Sequence, residues 1–285
     1  MTLSLVIQLL VSFVVGGCFI TLLSLIAERS SENIAGIIMM FPSTSVLGFL
    51  FLGLTTSAEK VAIIIPATLI PLGIVIFSSV VYIYCSIFLS IYFKTKITQI
   101  LTAFVASSLI WFILVSPFAI WKFTNLILGA IGFIILITIA HFILNKNKFQ
   151  EEVSRPKYTK SQIAIRAVFT GGVITIVVLF GKVLNPFWGG IFTMYPAATF
   201  ASLVIFHFYY EPRQLFHFMK KAPIGSLSIF IYAIFIMILF PKFGVVFGTI
   251  ISYSLSLTFS ILLIKYRLRQ NKIANEVSAE KSSNR

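Results

Sequence analysis

Ala35-Gly36-Ile37-Ile38-Met39-Met40-Phe41-Pro42-Ser43-Thr44-Ser45 decides how this chain is read, because a second version of it follows as Gly189-Gly190-Ile191-Phe192-Thr193-Met194-Tyr195-Pro196-Ala197-Ala198-Thr199. Gly36 aligns with Gly190, Ile37 with Ile191, Met40 with Met194 and Pro42 with Pro196, and Ser45 meets the similar Thr199. The offset is constant at 154, since 190 − 36 and 196 − 42 agree. It holds upstream as well, pairing Gly17 with Gly171 and Thr21 with Thr175. An internal duplication is the first conclusion.

The surroundings of both stretches are apolar. The 285 residues are 59% hydrophobic, and mean hydropathy is +1.03, whereas a soluble domain is roughly 45–50% apolar. Runs of about 20 apolar residues recur end to end, and only helices satisfy their own backbone hydrogen bonds in lipid. Strand-period alternation is absent, so the class is all-α, a polytopic helical membrane protein. The net charge of +14 does not indicate nucleic acid, because Lys and Arg fall between apolar runs or in the tail and no separate basic domain exists. Cys18 and Cys85 lie inside apolar runs and read as small buried hydrophobes. Residues 3–27 read as a first membrane helix and not as a signal peptide.

Helices are expected at about 3–27, 33–55, 60–93, 97–120, 124–144, 162–184, 187–209, 220–240 and 243–265. Asn185 caps the seventh, with Pro186 at its first position. Ser31 or Asn33 does so for the second. Residues 60–93 are long for one span, and Pro66 and Pro71 lie within. One tilted, kinked helix is preferred, because no turn chemistry interrupts it. The chain divides into a first four-helix repeat (1–121), a linking helix with a basic linker (122–161), a second four-helix repeat (162–265) and a polar tail (266–285), expected to be disordered past its first turn. Of the 22 Lys and Arg, 18 fall on one side and 4 on the other. That excess places the N-terminus outside and the C-terminus in the cytoplasm of a cell (inner) membrane.

Four spans return a chain to its starting side and a fifth crosses it over. About nine helices thus form two inverted four-helix repeats plus one linking helix. Inverted repeats recur in transporters, with a site at the midplane between them. Pro42 and Pro196 each fall about ten residues into a helix. Each removes an N–H, freeing the carbonyls of Ile38 and Phe192. The candidate midplane pathway comprises Thr21, Gly36, Pro42, Ser43, Thr44, Ser45, Thr175, Gly190, Thr193, Pro196, Ala197 and Thr199. The competing reading is that the prolines only kink their helices and the hydroxyls bond their own backbone. The small-residue series Gly189, Thr193, Ala197 and Ala201 fits close helix packing under either reading.

The chain has no Asp, and all eight Glu lie in loops, linker or tail. A proton-driven mechanism built on an intramembrane carboxylate is therefore disfavoured. His141, His207 and His217 are read as interfacial. Trp111, Trp121 and Trp188 are read mainly as an aromatic belt. No nucleophile, metal set or phosphate loop is assembled, so no enzyme, cofactor or metal is expected.

Ile26-Ala27-Glu28-Arg29 and Asn33-Ile34-Ala35-Gly36-Ile37 through Phe41-Pro42 resemble the GlpM family of short four-helix bacterial inner-membrane proteins, and the likeness continues around Ala62 to Phe88. The second half carries the same core with Gly for Ala and Tyr for Phe. The resemblance implies a fused pair of such units and carries no site or substrate. The leading expectation is a transporter or facilitator for a small neutral or anionic solute, with a pathway between helices two and seven. The alternatives are a non-transporting scaffold whose tail binds a partner, and a lipid or polyprenyl translocator. The lipid bilayer is the expected surrounding, a small solute the expected partner, and nucleic acid is excluded.

Overall fold

The computed structural model describes residues 3–29, 43–146 and 159–283. These form helices α1 (Leu3–Arg29), α2 (Ser43–Thr55), α3 (Ala58–Tyr92), α4 (Lys96–Ile120), α5 (Leu126–Lys146), α6 (Lys160–Val183), α7 (Pro186–Phe192), α8 (Ala197–Tyr209), α9 (Leu215–Met219) and α10 (Ala222–Ser283), with a short 3-10 turn at Pro212–Gln214. No strand occurs among the described residues. Among the described residues, six helical segments are long and apolar enough to cross a membrane: α3, α4, α5, α6, Pro186–Tyr209 and Ala222–Leu263. The chain is a membrane-embedded helical protein.

Local chemistry sets the helix starts. Ser57 accepts from the Lys60 N–H at 3.2 Å and caps α3. Thr159 and Gln162 form a reciprocal capping box on α6. Asn185 Oδ1 accepts from the N–H groups of Phe187 (3.0 Å) and Trp188 (3.2 Å), with Pro186 at the first position, as its sequence demands. Ser31, Asn33, Gly36, Ile38 and Pro42 lie outside the described residues.

The axis of the molecule is α3. It is one helix from Ala58 to Tyr92 with Pro66 and Pro71 inside it, and 21 of its 35 residues are buried. Helices α4, α5 and α10 pack around it. Their buried positions form single stripes at helical spacing: Gly129, Phe133, Ile137, Ala140 and Leu144 on α5, and Ala103, Ser107, Trp111, Val115 and Ala119 on α4. The remaining faces of α4 and α5 carry exposed Ile, Leu and Phe, as a lipid-facing surface must. Glycine permits the close α3–α5 approach, since a Cβ on Gly129 would sit 2.9 Å from the Pro66 carbonyl oxygen.

Helix α10 is 62 residues long yet folds back on itself. Gly244 adopts φ 73°, outside the helical range. Ser256 Oγ donates to the Ser228 carbonyl at 2.7 Å, and Ser260 Oγ to Ser228 Oγ at 2.7 Å. Residues 28 apart in a straight helix stand roughly 42 Å apart, so the two arms form an antiparallel hairpin around Pro241–Gly244. The second arm continues as helix to Ser283, which corrects the expectation that the tail loses structure after its first turn.

Helices α1 and α6 are also antiparallel. Thr175 Oγ1 lies 3.5 Å from the Leu9 carbonyl oxygen, Gly171 abuts the Phe13 carbonyl, and Gly17 abuts the Ala167 carbonyl, so partners fall along one chain as they rise along the other. Cys18 is exposed and Cys85 half-buried, both free; the reading of Cys18 as a buried hydrophobe is therefore wrong.

Candidate functional site

The apolar span Pro186–Tyr209 is not one helix. α7 ends at Phe192 and α8 begins at Ala197, with Pro196 at φ −75°, ψ 47° between them. Four peptide groups make the step. Thr193 N–H bonds the Gly189 and Gly190 carbonyls, and Met194 N–H donates to the Ile191 carbonyl at 2.9 Å. Tyr195 N–H donates to the Phe192 carbonyl at 3.0 Å, and Ala197 N–H to the Tyr195 carbonyl at 2.7 Å. The expectation that Pro196 leaves the Phe192 carbonyl free is thus corrected, because tightening to a three-residue turn satisfies it. The carbonyls of Thr193 and Met194 have no backbone donor at the break, and that of Thr193 is met by a side chain. Ser45 supplies the partner, donating its Oγ to Thr193 O at 3.3 Å. The two helices touch here because Gly48 has no side chain: a Cβ on it would lie 2.9 Å from Thr193 Cγ2.

Beside this junction is a cavity of about 40 Å³, lined by Thr44 and Ser45 of α2, Leu72 and Val75 of α3, Met194, Tyr195 and Pro196 of the break, Ala198 and Thr199 of α8, and Ile229 of α10. That volume holds roughly three waters. No charged side chain lines it. Its polar groups are hydroxyls and the backbone of the break, and α8 starts there without a side-chain cap. Six of the ten lining residues pair at one offset: Thr44 with Ala198, Ser45 with Thr199, and Val75 with Ile229, each separated by 154.

Of the sequence candidates, Thr44, Ser45, Pro196 and Thr199 line this cavity. Thr193 is buried beside it, with its hydroxyl on the Gly190 carbonyl. The structure describes Ser43 only as the first residue of α2. Gly190 and Ala197 are buried and do not line the cavity; Gly190 packs on Ile64. Thr21 and Thr175 are not lining residues either. Each donates to the carbonyl four residues back, Gly17 and Gly171, at 2.9 Å, so for these two the backbone-bonding reading is the right one. Gly36 and Pro42 lie outside the described residues.

Three features escaped the sequence reading. Tyr195 OH pairs with Ser108 Oγ at 2.9 Å, tying the break to α4. Trp111, read as belt, is fully buried in mid-helix with its ring 5.0 Å from that of Tyr195, whereas Trp121, 79% exposed at a helix end, fits a belt. His207, read as interfacial, is fully buried. Its Nδ1 stands 3.2 Å from Tyr82 Oη and 3.3 Å from Ser86 Oγ. Extending the 154 offset from Val75 to Ile229 was the one available signal for the missing cavity walls. Among the described residues no cluster of His, Cys, Asp or Glu suits a metal ion.

No protein-family model, curated protein or solved structure matches this chain.

Proposed function

We propose that the protein is a membrane transporter or facilitator for a small neutral or anionic solute, built as two inverted repeats, with its pathway at the α2–α8 junction. The carrying observation is the cavity, where Ser45 and Thr199, and Thr44 and Ala198, are repeat equivalents facing one space beside a broken helix. Broken helices at a midplane site, with unwound backbone and half-helix ends turned to the solute, recur in secondary transporters.

Support for inversion comes from the α1–α6 crossing. Adding 154 turns Phe13 into Ala167 and Gly17 into Gly171, so the contacts Phe13–Gly171 and Gly17–Ala167 exchange under the repeat. Exchange of this kind is the mark of a two-fold axis. The two helices are antiparallel, and an axis along the membrane normal would leave equivalent helices parallel. In this reading the nine expected spans count α1, the expected 33–55 span that contains α2, α3 to α6, the broken α7–α8 and the two arms of α10. The GlpM-like pair of units, the internal duplication and the cytoplasmic placement of the tail belong to the same proposal. A cavity of this size is the closed state, and rocking of the repeats would open it.

The scaffold reading draws on one observation: the last helix runs past its apolar part, which ends before Lys265, to Ser283. Cysteine accessibility separates the two. In a background lacking Cys18 and Cys85, Thr44→Cys and Ala198→Cys should react with a small, membrane-impermeant thiol reagent, while Ala197→Cys should not. Protection of all three from both sides of the membrane would remove the pathway, and deletion of residues 272–285 with loss of a bound partner would then favour the scaffold.

A further inference from the structure

Two turns along α3 from the cavity lies a second buried polar group whose chemistry differs from that of the cavity. Val75, Ser79, Tyr82 and Ser86 share one face of α3, spaced four, three and four residues apart. Val75 lines the cavity, and Tyr82 is roughly 10 Å beyond it. On α8, Thr199 lines the cavity, and Phe200 follows with its ring 6.1 Å from Tyr82. His207 stands two turns past Phe200 and meets the Tyr82 ring edge-on at 5.9 Å. Tyr82, Phe200 and His207 therefore close the α3–α8 seam above the cavity, at the end of the fold that holds Lys94 and Lys96.

The protons of this cluster can be assigned by accounting. Ser86 Oγ gives its hydrogen to the Tyr82 carbonyl at 2.8 Å. With Tyr82 Oη–H as the donor to His207 Nδ1, the neutral ring is the Nε2–H tautomer. Nε2 has no partner among the described residues and is buried. The bond across the seam has Tyr82 as its donor only while Nδ1 carries no proton.

We propose that His207 is a proton-binding residue and that Tyr82–His207–Ser86 is a latch, closed when the ring is neutral and opened by uptake of one proton. This rests on the pathway proposed above and adds its coupling ion. A proton taken from water converts Nδ1 from acceptor to donor, so Tyr82 must turn its own hydrogen away, and the seam gains a buried positive charge. The resulting imidazolium finds no carboxylate within hydrogen-bond distance among the described residues. The surrounding charges do not hold it in place. Lys96 on α4 is paired with Glu211 at 3.8 Å, the elements packed against α3 and α8 carry Arg166, Arg213 and His217, and Cys85 lies beside Ser86 on α3. The imidazolium is relieved by the seam parting and water entering. The absence of an intramembrane carboxylate, which argued against proton coupling from sequence, loses its force once His207 is buried.

The full chain, freed of Cys18 and Cys85 and reconstituted in lipid vesicles, tests this directly. A membrane-impermeant maleimide is applied from the Lys94–Lys96 side to Thr44→Cys, with Thr95→Cys, in the exposed α3–α4 loop, as the reference for the reagent's own pH dependence. The labelling ratio should rise about tenfold from pH 8 to pH 5. His207→Gln keeps an acceptor for Tyr82 and cannot take the proton, so its ratio should stay low and flat. Tyr82→Phe should raise the ratio at pH 8. A flat profile in the parent overturns the latch without need of any variant, as does an unchanged slope in His207→Gln. Labelling that ignores pH removes the latch alone, whereas no labelling of Thr44→Cys from either side at any pH removes the pathway with it.

Discussion

Two apolar spans of this protein carry proline in their middle and respond in opposite ways. Helix α3 contains Pro66 and Pro71 and remains helical from Ala58 to Tyr92. The span Pro186–Tyr209 contains Pro196 and breaks into α7 and α8. Proline has the same local cost in both, a lost N–H and a crowded carbonyl. Two things differ. α3 is wrapped by α4, α5 and α10, and its burial is gained only if the helix stays whole. The broken span has Gly189-Gly190 one turn before the break, where helix propensity is weakest and close approach to Gly181 and Ile64 requires glycine. It also has Ser45, from another helix, in position to donate to the carbonyl that the break exposes. A proline opens a membrane helix where the neighbours supply a partner for the backbone, and is absorbed where they do not.

The contact that lets Ser45 reach the break depends on Gly48. The Cβ of any other residue would meet Thr193 Cγ2, Cβ and Cα at 2.9, 3.0 and 3.4 Å, and the last of these is backbone. Gly48→Leu should push α2 off the break, cost about 1–3 kcal/mol or more by overpacking, and abolish labelling at Thr44→Cys. Unfolding of the purified protein in mixed micelles reads the first effect. A neutral Gly48→Leu would mean that α2 does not hold the break in its present shape.

A gentler change isolates the hydrogen bond. Ser45→Ala leaves Thr193 O buried without its donor, which should cost about 1 kcal/mol in the same assay, toward the lower end for an orphaned carbonyl because the bond is 3.3 Å long. Thr68→Val on α3 is the matched control. Thr68 Oγ1 bonds the Ile65 carbonyl of its own helix at 2.7 Å, where a backbone N–H is also in place. Its loss should cost less than that of Ser45. The reverse order would contradict the view that the cross-helix donor holds the break open.

The helical class and some helix starts were legible because they are written locally: apolar runs of bilayer length, and Asn185-Pro186 at a helix start. The continuity of α3 was legible too, from the absence of turn residues around Pro66 and Pro71. What was not legible is azimuth and depth. Ala197 and Ala198 are chemically identical, and only the angle at which α8 leaves the break puts Ala198 on the cavity and Ala197 in the core. His207 stands three residues from the end of its apolar run, which reads as interface. It is buried because α3 overhangs that end by several turns and lays Tyr82 and Ser86 against it. Trp111 was misread for the same reason, since it is packed against Tyr195, in the break far away in the chain. Hydroxyls are ambiguous in kind: Thr21 and Thr175 satisfy themselves on their own helices, Ser45 does not, and all three look alike in the sequence.

The smallest expected effects sharpen the comparison most. Pro66→Ala restores an N–H to a helix that is already continuous, and the propensity gained is offset by the loss of a buried ring. Stability should change by no more than about 1 kcal/mol, with labelling at Thr44→Cys unaltered. Pro196→Ala is the informative counterpart. If the ring alone made the break, alanine would let α7 and α8 join, and Thr44→Cys would become protected. The bonding argues otherwise. The Phe192 carbonyl, which a restored N–H at position 196 would seek, already holds the Tyr195 N–H, and the Thr193 carbonyl already holds Ser45. Joining the helices would require both to be given up while Gly189-Gly190 contribute little helical preference in return. Labelling at Thr44→Cys should therefore survive in Pro196→Ala and fail in Pro196→Ala combined with Ser45→Ala, where the carbonyl is released and the helix can close on it. Loss of labelling in the single variant would assign the break to proline by itself and leave Ser45 as an occupant of a gap it did not make.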